Sequence, residues 1–314
     1  MLPVTPAVIE FAIDPVVRIG DQGVRLETIL IGVVLLVALL LAVWIGQVTP
    51  VDVTRPADDL GPSSDEHNHL RADDLLYLAI AVLPGAVVGG RIGYALNHVD
   101  YYGANPGAIL DPAQGGLALS LAVVGGTLTA AGVARLLNAP IQRWLHAVTL
   151  PLLFALAGGK LALVLGGDGQ GLPSDLPWAT AYAGFGPWGS LLPEAPSHPA
   201  QAYEAILVFL VLAGVVSLLA GGGFARRDGR VFLLAIGGWA AARFLVAFTW
   251  RDQAVAGPLR MEQLVSLALA AAMLGVLVVR TIRERSSLAS GGAASVEDGA
   301  PGGDLPDPDE RPSF

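Results

Sequence analysis

An apolar run without a single charged residue, ILIGVVLLVALLLAVWIG at residues 29–46, most constrains what this chain can fold into. A helix needs roughly 20 mostly apolar residues to cross the hydrocarbon core of a bilayer, and this run meets that length. Only helices and closed barrels satisfy all backbone polar groups inside a bilayer. We therefore predict a transmembrane helix at this position.

Further apolar segments of similar length follow along the chain. A buried helix of a soluble protein explains one such segment, but not a repeated series in one chain that is 54% hydrophobic and 14% charged. Soluble domains usually carry about 25% charged residues. The sequence predicts an all-α membrane protein, a bundle of about seven transmembrane helices near residues 28–46, 75–97, 117–137, 147–167, 205–220, 231–249 and 262–280.

The distribution of Arg between the short connections predicts how the bundle is oriented, because cytoplasmic loops are enriched in Lys and Arg. With the N-terminus outside, the outer side keeps only Arg18, Arg25, Arg251 and Arg260. The cytoplasmic side then holds Arg55, Arg71, Arg135, Arg143, Arg226, Arg227, Arg230, Arg280, Arg283 and Arg285. This pattern favours an N-out, C-in topology.

Two long connections and the C-terminal end complete the predicted organisation. Residues 98–116 and 168–204 contain no Lys or Arg and are rich in Gly, Pro and aromatic residues, which indicates ordered extracytoplasmic loops. Residues after 285 are rich in Gly, Pro, Ser and Asp and resemble sequences that cannot bury a core. We predict a membrane domain at 1–285 and a disordered cytoplasmic tail at 286–314.

Charge and cysteine content exclude several classes of protein. The net charge of −9 and the absence of a basic stripe argue against nucleic acid as a partner. The chain has no cysteine, which excludes disulfides, thiolate metal sites and a cysteine nucleophile of its own. No ligand spacing for a metal and no phosphate-binding loop is present, so we expect neither a metal nor a cofactor.

Three basic residues interrupt the apolar segments: Arg91 in GGRIGY, Lys160 in GGKLAL and Arg243 in AARFLV. An ionisable group within the membrane is costly and by default suggests function. An internal salt bridge or snorkelling toward a headgroup is the alternative explanation. Cations at comparable positions in several helices favour a shared anion pocket, and a phospholipid phosphate is the natural anion at that depth.

The segment HPAQAYE at 198–204 precedes the fifth predicted helix. His198 and Glu204 have the chemistry for proton transfer. The alternative is an ordinary helix start, with Pro199 at the first position and Gln201 and Glu204 in the first turn. The glycines around Arg91 and Lys160 favour close helix packing over direct contact with a ligand.

Taken together, these segments resemble the bacterial prolipoprotein diacylglyceryl transferase family over nearly the whole chain, from Phe11 to about Arg280. HPAQAYE is the most specific single match. The whole set of matches, found in the same order as in the family, is stronger evidence than any single match. The matches are FAIDPVVRIG at 11–20, VVGGRIGYALNHVDYYGANP at 87–106, QGG at 114–116, DLPWA at 175–179, HPAQAYEA at 198–205, RFLVAF at 243–248 and MEQLVSL at 261–267.

The resemblance implies a multi-pass protein of the bacterial inner (plasma) membrane. It also implies transfer of a diacylglyceryl group from phosphatidylglycerol to the lipobox cysteine thiol of a lipoprotein precursor. The bilayer, phosphatidylglycerol and the precursor are then the expected partners. We predict catalytic roles for Arg243, His198, Lys160 and Asp168. Predicted substrate contacts come from Arg91, Lys160, Arg243, Gly171, Gln201, Tyr203 and Glu204.

Several positions depart from the family pattern at its centre. Lys160 replaces an Arg, Ser120 stands where a His is expected and Ala247 replaces a Glu. Glu27 falls near an expected Tyr, and the next Arg after Arg243 is displaced by one, to Arg251. In the stretch after Lys160, Leu163 and Gly166 replace Asn residues, Asp168 replaces a Glu, and Gly171 is kept.

Three functional hypotheses remain after these departures. The first is an active transferase with a remodelled site. The second is a catalytically degenerate relative that binds phospholipid or lipoprotein precursor without transfer. A small-solute transporter is the third, and the absence of an internal repeat weakens it.

Overall fold

The computed structural model describes residues 8–49, 70–111, 113–184 and 186–297 of the chain. Arg55 and residues 298–314 of the predicted tail lie outside the described residues. The long helices are α1 (Leu26–Val48), α2 (Ala72–Asn97), α4 (Leu119–Leu136), α5 (Ile141–Leu163), α6 (Ala200–Ala220), α7 (Arg230–Val246) and α8 (Met261–Glu297). A short helix α3 (Val99–Ala104) and two 3-10 turns (Pro106–Leu110 and Ala247–Thr249) lie between them.

Within the described residues, seven helices have the length and apolar composition needed to cross a membrane. The prediction of a mostly helical, multi-pass membrane protein is therefore confirmed. Two predicted helix starts were wrong, and α5 also ends at Leu163 rather than near 167. α5 begins at Ile141 rather than near 147, and α6 begins at Ala200 rather than near 205. In both cases polar residues in the first turns, such as Arg143 and Gln201, lowered the local hydropathy although the backbone is already helical.

Short strands hold the connections at one end of the helices. β1 (Ile9–Phe11) pairs in parallel with β4 (Thr180–Tyr182), so the N-terminal segment is joined to the long connection between α5 and α6. β2 (Val16–Ile19) and β3 (Gln22–Arg25) form a hairpin directly before α1. β5 (Ala254–Ala256) and β6 (Leu259–Arg260) form another before α8. These pairings fix the helix ends that carry the polar residues described below.

Helices α2 and α4 pack with their backbones in direct contact. A Cβ atom at Gly85 or Gly125 would collide with the backbone of the other residue, and one at Gly89 would collide with the Leu121 carbonyl. Small residues allow this approach in membrane helices. The packing role expected for the α2 glycines is therefore present, whereas Gly159 of α5 faces open space and lines a cavity.

A cluster of buried apolar side chains lies where α5, α6 and α7 meet. Trp239 and Val231 of α7, Val208 of α6 and Leu153 of α5 are fully buried in this cluster. The chain divides into two compact units between Leu274 and Gly275, and the second unit contains the C-terminal part of α8. The helix continues to Glu297, beyond the predicted domain boundary at residue 285.

The glycine contact between α2 and α4 gives a test of the packing. We expect Gly125→Ala to destabilise the protein by about 1–3 kcal/mol, because the added methyl group has no room against the facing backbone. Gly132→Ala on the same helix meets nothing within 4 Å, so it should be neutral or stabilising. Thermal unfolding of both variants in detergent measures the difference. Equal stability of the two would contradict the close approach.

Candidate lipid-binding and transfer site

Charged residues from several helices meet at one end of the bundle, where α4, α6 and α8 begin and α5 and α7 end. Ser120, Glu204 and Glu262 lie in or near the first turns of α4, α6 and α8. Lys160 and Arg243 lie in the last turns of α5 and α7. We call these five residues the charged cluster.

Arg243 is the centre of the charged cluster and is only 5% exposed. Its Nη1 lies 2.6 Å from Oε1 of Glu204, and its Nε lies 2.8 Å from Oε1 of Glu262. The same Nε donates to Oγ of Ser120 at 3.0 Å. The guanidinium also lies 4.6 Å from the ring centroid of Trp250, within the range of a cation–π interaction.

Glu204 bridges the two cations and is fully buried. One carboxylate oxygen contacts Arg243, and the other lies 3.0 Å from Nζ of Lys160. The two positive and two negative groups of the cluster cancel formally. Burial of such a set is tolerated only when each charge has a partner, because removing a charge from water costs several kcal/mol.

Ser120 and Glu262 form the side of the cluster that the sequence did not predict. The Ser120 hydroxyl, where the family resemblance expects a His, donates to Oε1 of Glu262 while it accepts from Arg243. Glu262 was part of the matching segment MEQLVSL but was not selected. An acidic residue in a first turn also suits a helix N-terminus, so its sequence position did not distinguish the two roles.

A cavity of about 1380 Å³ opens beside the charged cluster. Lys160, Glu204, Arg243 and Glu262 line its polar end together with Arg251 and Asp252, and mainly apolar side chains of α1, α2, α4 and α5 line the rest. The apolar wall reaches Trp144 in the first turn of α5, so the cavity follows almost the whole length of that helix. Its volume exceeds that of the usual small-molecule pocket, about 300–1,000 Å³. One end of the cavity is polar and the rest is mainly apolar, as an amphiphilic ligand would require.

Gln201 and Asp168 also line this cavity. Gln201 is 1% exposed and donates through Nε2 to the Tyr182 hydroxyl at 3.2 Å, while its Oε1 has no hydrogen-bond partner among the described residues. Burial raises the pKa of Tyr182 to about 12, so this phenol remains a neutral donor, directed to the Val164 carbonyl. Asp168 is exposed and follows α5 in the connection to β4.

Glu27, near the position where the family resemblance expects a Tyr, belongs to a separate ion pair. Its carboxylate lies 2.8 Å from Nη2 of Arg25 and is buried in the first turn of α1. Gly166 packs directly against it, and any side chain at that position would collide with the carboxylate. The Glu27 carboxylate therefore occupies the space that the side chain of the expected Asn at position 166 would need.

Arg91 does not join Lys160 and Arg243, so the expectation of one pocket shared by all three cations was wrong. Its Nε donates to the Ile109 carbonyl at 2.6 Å, and Nη2 donates to the carbonyls of Ala108 and Asp111 at 2.8 Å. Nη1 reaches the Gly116 carbonyl at 3.4 Å. The guanidinium therefore holds the connection between α3 and α4 against α2.

His198, Tyr203 and Gly171 also lie away from the cavity lining. The Tyr203 hydroxyl accepts from Nε1 of Trp178 at 2.7 Å and lies 3.4 Å from Nδ1 of His198. The Gly171 carbonyl accepts from Nε of Arg251 at 2.6 Å, and a Cβ atom at Gly171 would collide with the Thr249 carbonyl. These residues hold the connection before α6 in place, so a direct contact of His198 with the cavity is not formed in this structure.

The fold and the cavity define a multi-pass helical membrane protein with a large, mainly apolar cavity that ends at a cluster of charged residues. A model of the prolipoprotein diacylglyceryl transferase family matches residues 24–279. The chain therefore belongs to the prolipoprotein diacylglyceryl transferase family.

Relatives named phosphatidylglycerol–prolipoprotein diacylglyceryl transferase resemble the chain at moderate identity. The protein of Geobacter sulfurreducens is 31% identical over 204 residues, which cover 63% of this chain and 74% of the relative. That of Bordetella avium is 31% identical over 220 residues, covering 68% and 78%. The Clostridioides difficile protein is 27% identical over 198 residues, covering 63% and 75%.

The contacts of Arg91 predict a structural effect. Arg91→Gln should lower the thermal stability of the protein and expose residues 105–116 to proteolysis, because four carbonyls lose a charged donor. Arg91→Lys should show a similar but smaller effect, since an ammonium cannot reproduce the fork of donors. Unchanged stability together with weakened binding of anionic lipid would instead favour the original anion-site interpretation.

Proposed function

We propose that this protein transfers a diacylglyceryl group from phosphatidylglycerol to the lipobox cysteine thiol of a lipoprotein precursor. The observation that carries the proposal is the apolar cavity that ends at Lys160 and Arg243. The acyl chains would occupy the apolar part, and the headgroup phosphate would lie at the two cations. The names of the relatives support the same reaction.

The polar end of the cavity has groups suited to each part of the headgroup. Arg243 offers a planar set of donors, and Lys160 offers a point charge where the family resemblance implies a second fork. The unpaired Oε1 of Gln201 suits a hydroxyl of the glycerol headgroup. Asp168 lies on the cavity wall and is proposed to contact the same end of the lipid.

The remaining predicted residues are proposed to act through the connections they hold. Arg91 fixes the segment before α4, and Gly171, His198 and Tyr203 fix the segment before α6. These segments position the starts of α4 and α6, which carry Ser120 and Glu204 of the charged cluster. In this proposal His198 supports the site and does not contact the thiol.

The reaction exchanges one bond for another at a glycerol carbon of the lipid. The precursor sulfur forms a bond to the carbon that carries the phosphate, and the carbon–oxygen bond breaks. Glycerol phosphate leaves with the electron pair, and the thiol proton must pass to a base. Lys160 and Arg243 would stabilise the negative charge that grows on the departing phosphate. The nucleophile belongs to the precursor, so the absence of cysteine in this chain is no obstacle.

Orientation and location are part of the proposal. The distribution of Arg supports an N-out, C-in topology, and membership of the family supports a location in the bacterial inner membrane. This topology places the charged cluster and the connections around it on the outer side, where a translocated precursor presents its cysteine. The proposal also keeps a membrane domain at 1–285 and a polar cytoplasmic tail at 286–314.

Complementation tests the activity directly. We expect the chain to restore growth of a strain depleted of its own transferase. The purified protein should also move labelled diacylglyceryl from phosphatidylglycerol to a lipobox peptide. Failure in both assays, with lipid binding retained, would instead identify a non-catalytic phospholipid-binding relative. The matching relatives give that alternative no support.

The phosphate contact predicts the effect of changing Arg243. Arg243→Ala should abolish transfer, and Arg243→Lys should keep part of it, because the charge remains but the fork is lost. Arg260→Ala is the matched control, since Arg260 binds the Asp252 carbonyl and does not line the cavity. Transfer rates of purified, folded variants measure the effect. Normal transfer by Arg243→Ala would show that the phosphate lies elsewhere.

A further inference from the structure

Glu204 occupies the positions that a phosphate needs. Its two oxygens each contact one cation, Lys160 at 3.0 Å and Arg243 at 2.6 Å. A phosphodiester also presents two charged oxygens, so a lipid phosphate that binds both cations must compete with this carboxylate. In the described structure the Glu204 carboxylate therefore takes the place of the phosphate as the partner of the two cations.

We propose that an entering lipid phosphate displaces Glu204 from Lys160 and Arg243, and that the displaced carboxylate then accepts the thiol proton. This inference rests on the proposed function, since it concerns the base of the same reaction. It makes Glu204 the counter-ion of Lys160 and Arg243 before the lipid binds and a catalytic residue afterwards.

The charges of the cluster explain why the displaced carboxylate would take up a proton. Lys160 and Arg243 balance Glu204 and Glu262 before the lipid enters. A phosphodiester adds one negative charge directly beside these two buried carboxylates, where like charges repel strongly. Protonation of one carboxylate restores the balance, and the nucleophile supplies that proton.

Glu262 is the less suitable carboxylate for this exchange. It is 4% exposed, contacts Nε of Arg243 and accepts the Ser120 hydroxyl, so leaving Arg243 would break two interactions. Glu204 has the two cations as its described partners and lies across Arg243 from Glu262. Once the phosphate takes those cations, Glu204 keeps no charged partner.

The other candidate bases fit the geometry less well. His198 lies outside the cavity lining, with Nδ1 directed to Tyr203. Asp168 lines the cavity but is exposed to water. A phosphate that binds Lys160 and Arg243 therefore displaces Glu204 and not Asp168. Ser120 is a hydroxyl already committed to Glu262, and a hydroxyl is a poor base near neutral pH.

The complete step keeps atoms and charge in balance. The thiol proton passes to the Glu204 carboxylate as the sulfur–carbon bond forms and the carbon–oxygen bond to phosphate breaks. Glycerol phosphate leaves as the dianion and then takes the proton from Glu204. The regenerated carboxylate returns to Lys160 and Arg243 and thereby competes with the product for the two cations.

Glu204→Gln separates binding from turnover. The amide cannot hold the cations as a carboxylate does, so we expect phosphatidylglycerol to bind about tenfold more tightly or better. Turnover should fall by roughly 10²–10⁴-fold, the usual contribution of a positioned base. A merely structural role for Glu204 would weaken binding and turnover together.

Binding is measured with the purified full chain in detergent by displacement of a fluorescent phosphatidylglycerol. Three unlabelled competitors are compared: phosphatidylglycerol, glycerol phosphate and neutral diacylglycerol. Tighter binding of the two phosphate compounds, but not of diacylglycerol, supports the exchange. A gain for glycerol phosphate alone would indicate a site for free phosphate and overturn the lipid part of the proposal.

Glu204→Asp decides the question if the Gln variant does not fold. The shorter side chain keeps the carboxylate but cannot bridge both cations, so turnover should exceed that of any carboxylate-free variant by at least about tenfold. Glu262→Gln removes the same charge from the same cluster and should reduce turnover less than Glu204→Gln does. Equal losses for Glu204→Gln and Glu262→Gln, or no advantage of Asp over Ala at position 204, would overturn proton acceptance.

Failure of this inference is distinguishable from failure of the proposed function. If the wild-type chain transfers no lipid to the peptide, the proposed function and the proton step both fall. The displacement measurements then still support or overturn the exchange of Glu204 for phosphate. If the wild type transfers lipid and Glu204→Gln transfers equally fast, the inference alone falls.

Discussion

The buried ion pairs of Arg243 are the interaction on which the rest of the structure depends. A guanidinium in the last turn of α7 can remain charged in an apolar bundle only if carboxylates reach it. Glu204 and Glu262 do so from the first turns of α6 and α8, which fixes three helix ends relative to one another. Lys160 joins α5 to the same point through Glu204.

The helical framework could be predicted from the sequence because membrane insertion imposes one simple rule on composition and length. α1 shows this most clearly, since no charge interrupts its apolar run. The prediction weakened where function placed polar residues inside a helix: the start of α6 was missed because Gln201 and Glu204 reduce its hydropathy. The boundary error at α6 thus fell on residues that line the site, whereas the error at α5 did not.

The candidate site was only partly predictable, because its contacts join residues far apart in the chain. Lys160 and Arg243 were found because they interrupt apolar segments, and Glu204 was found because its carboxylate suits proton transfer. Glu262 was missed because its position fits a helix start equally well. Arg91 looked equivalent to the other two cations, and only the path of residues 108–116 shows that backbone carbonyls take its donors. Hydropathy does not predict which backbone carbonyls of a connecting segment will contact a given side chain.

The parallel pairing of β1 with β4 has a consequence for how the protein is made. β1 precedes the first transmembrane helix, whereas β4 follows the fourth, so the strands meet only after the chain has crossed the bilayer several times. A pairing between such distant segments forms late in folding. The N-terminal segment must also reach the same side of the membrane as the connection after α5. A chain that omitted one of the four intervening crossings would leave the two strands on opposite sides of the membrane, so their pairing is a late test of the number of crossings before β4.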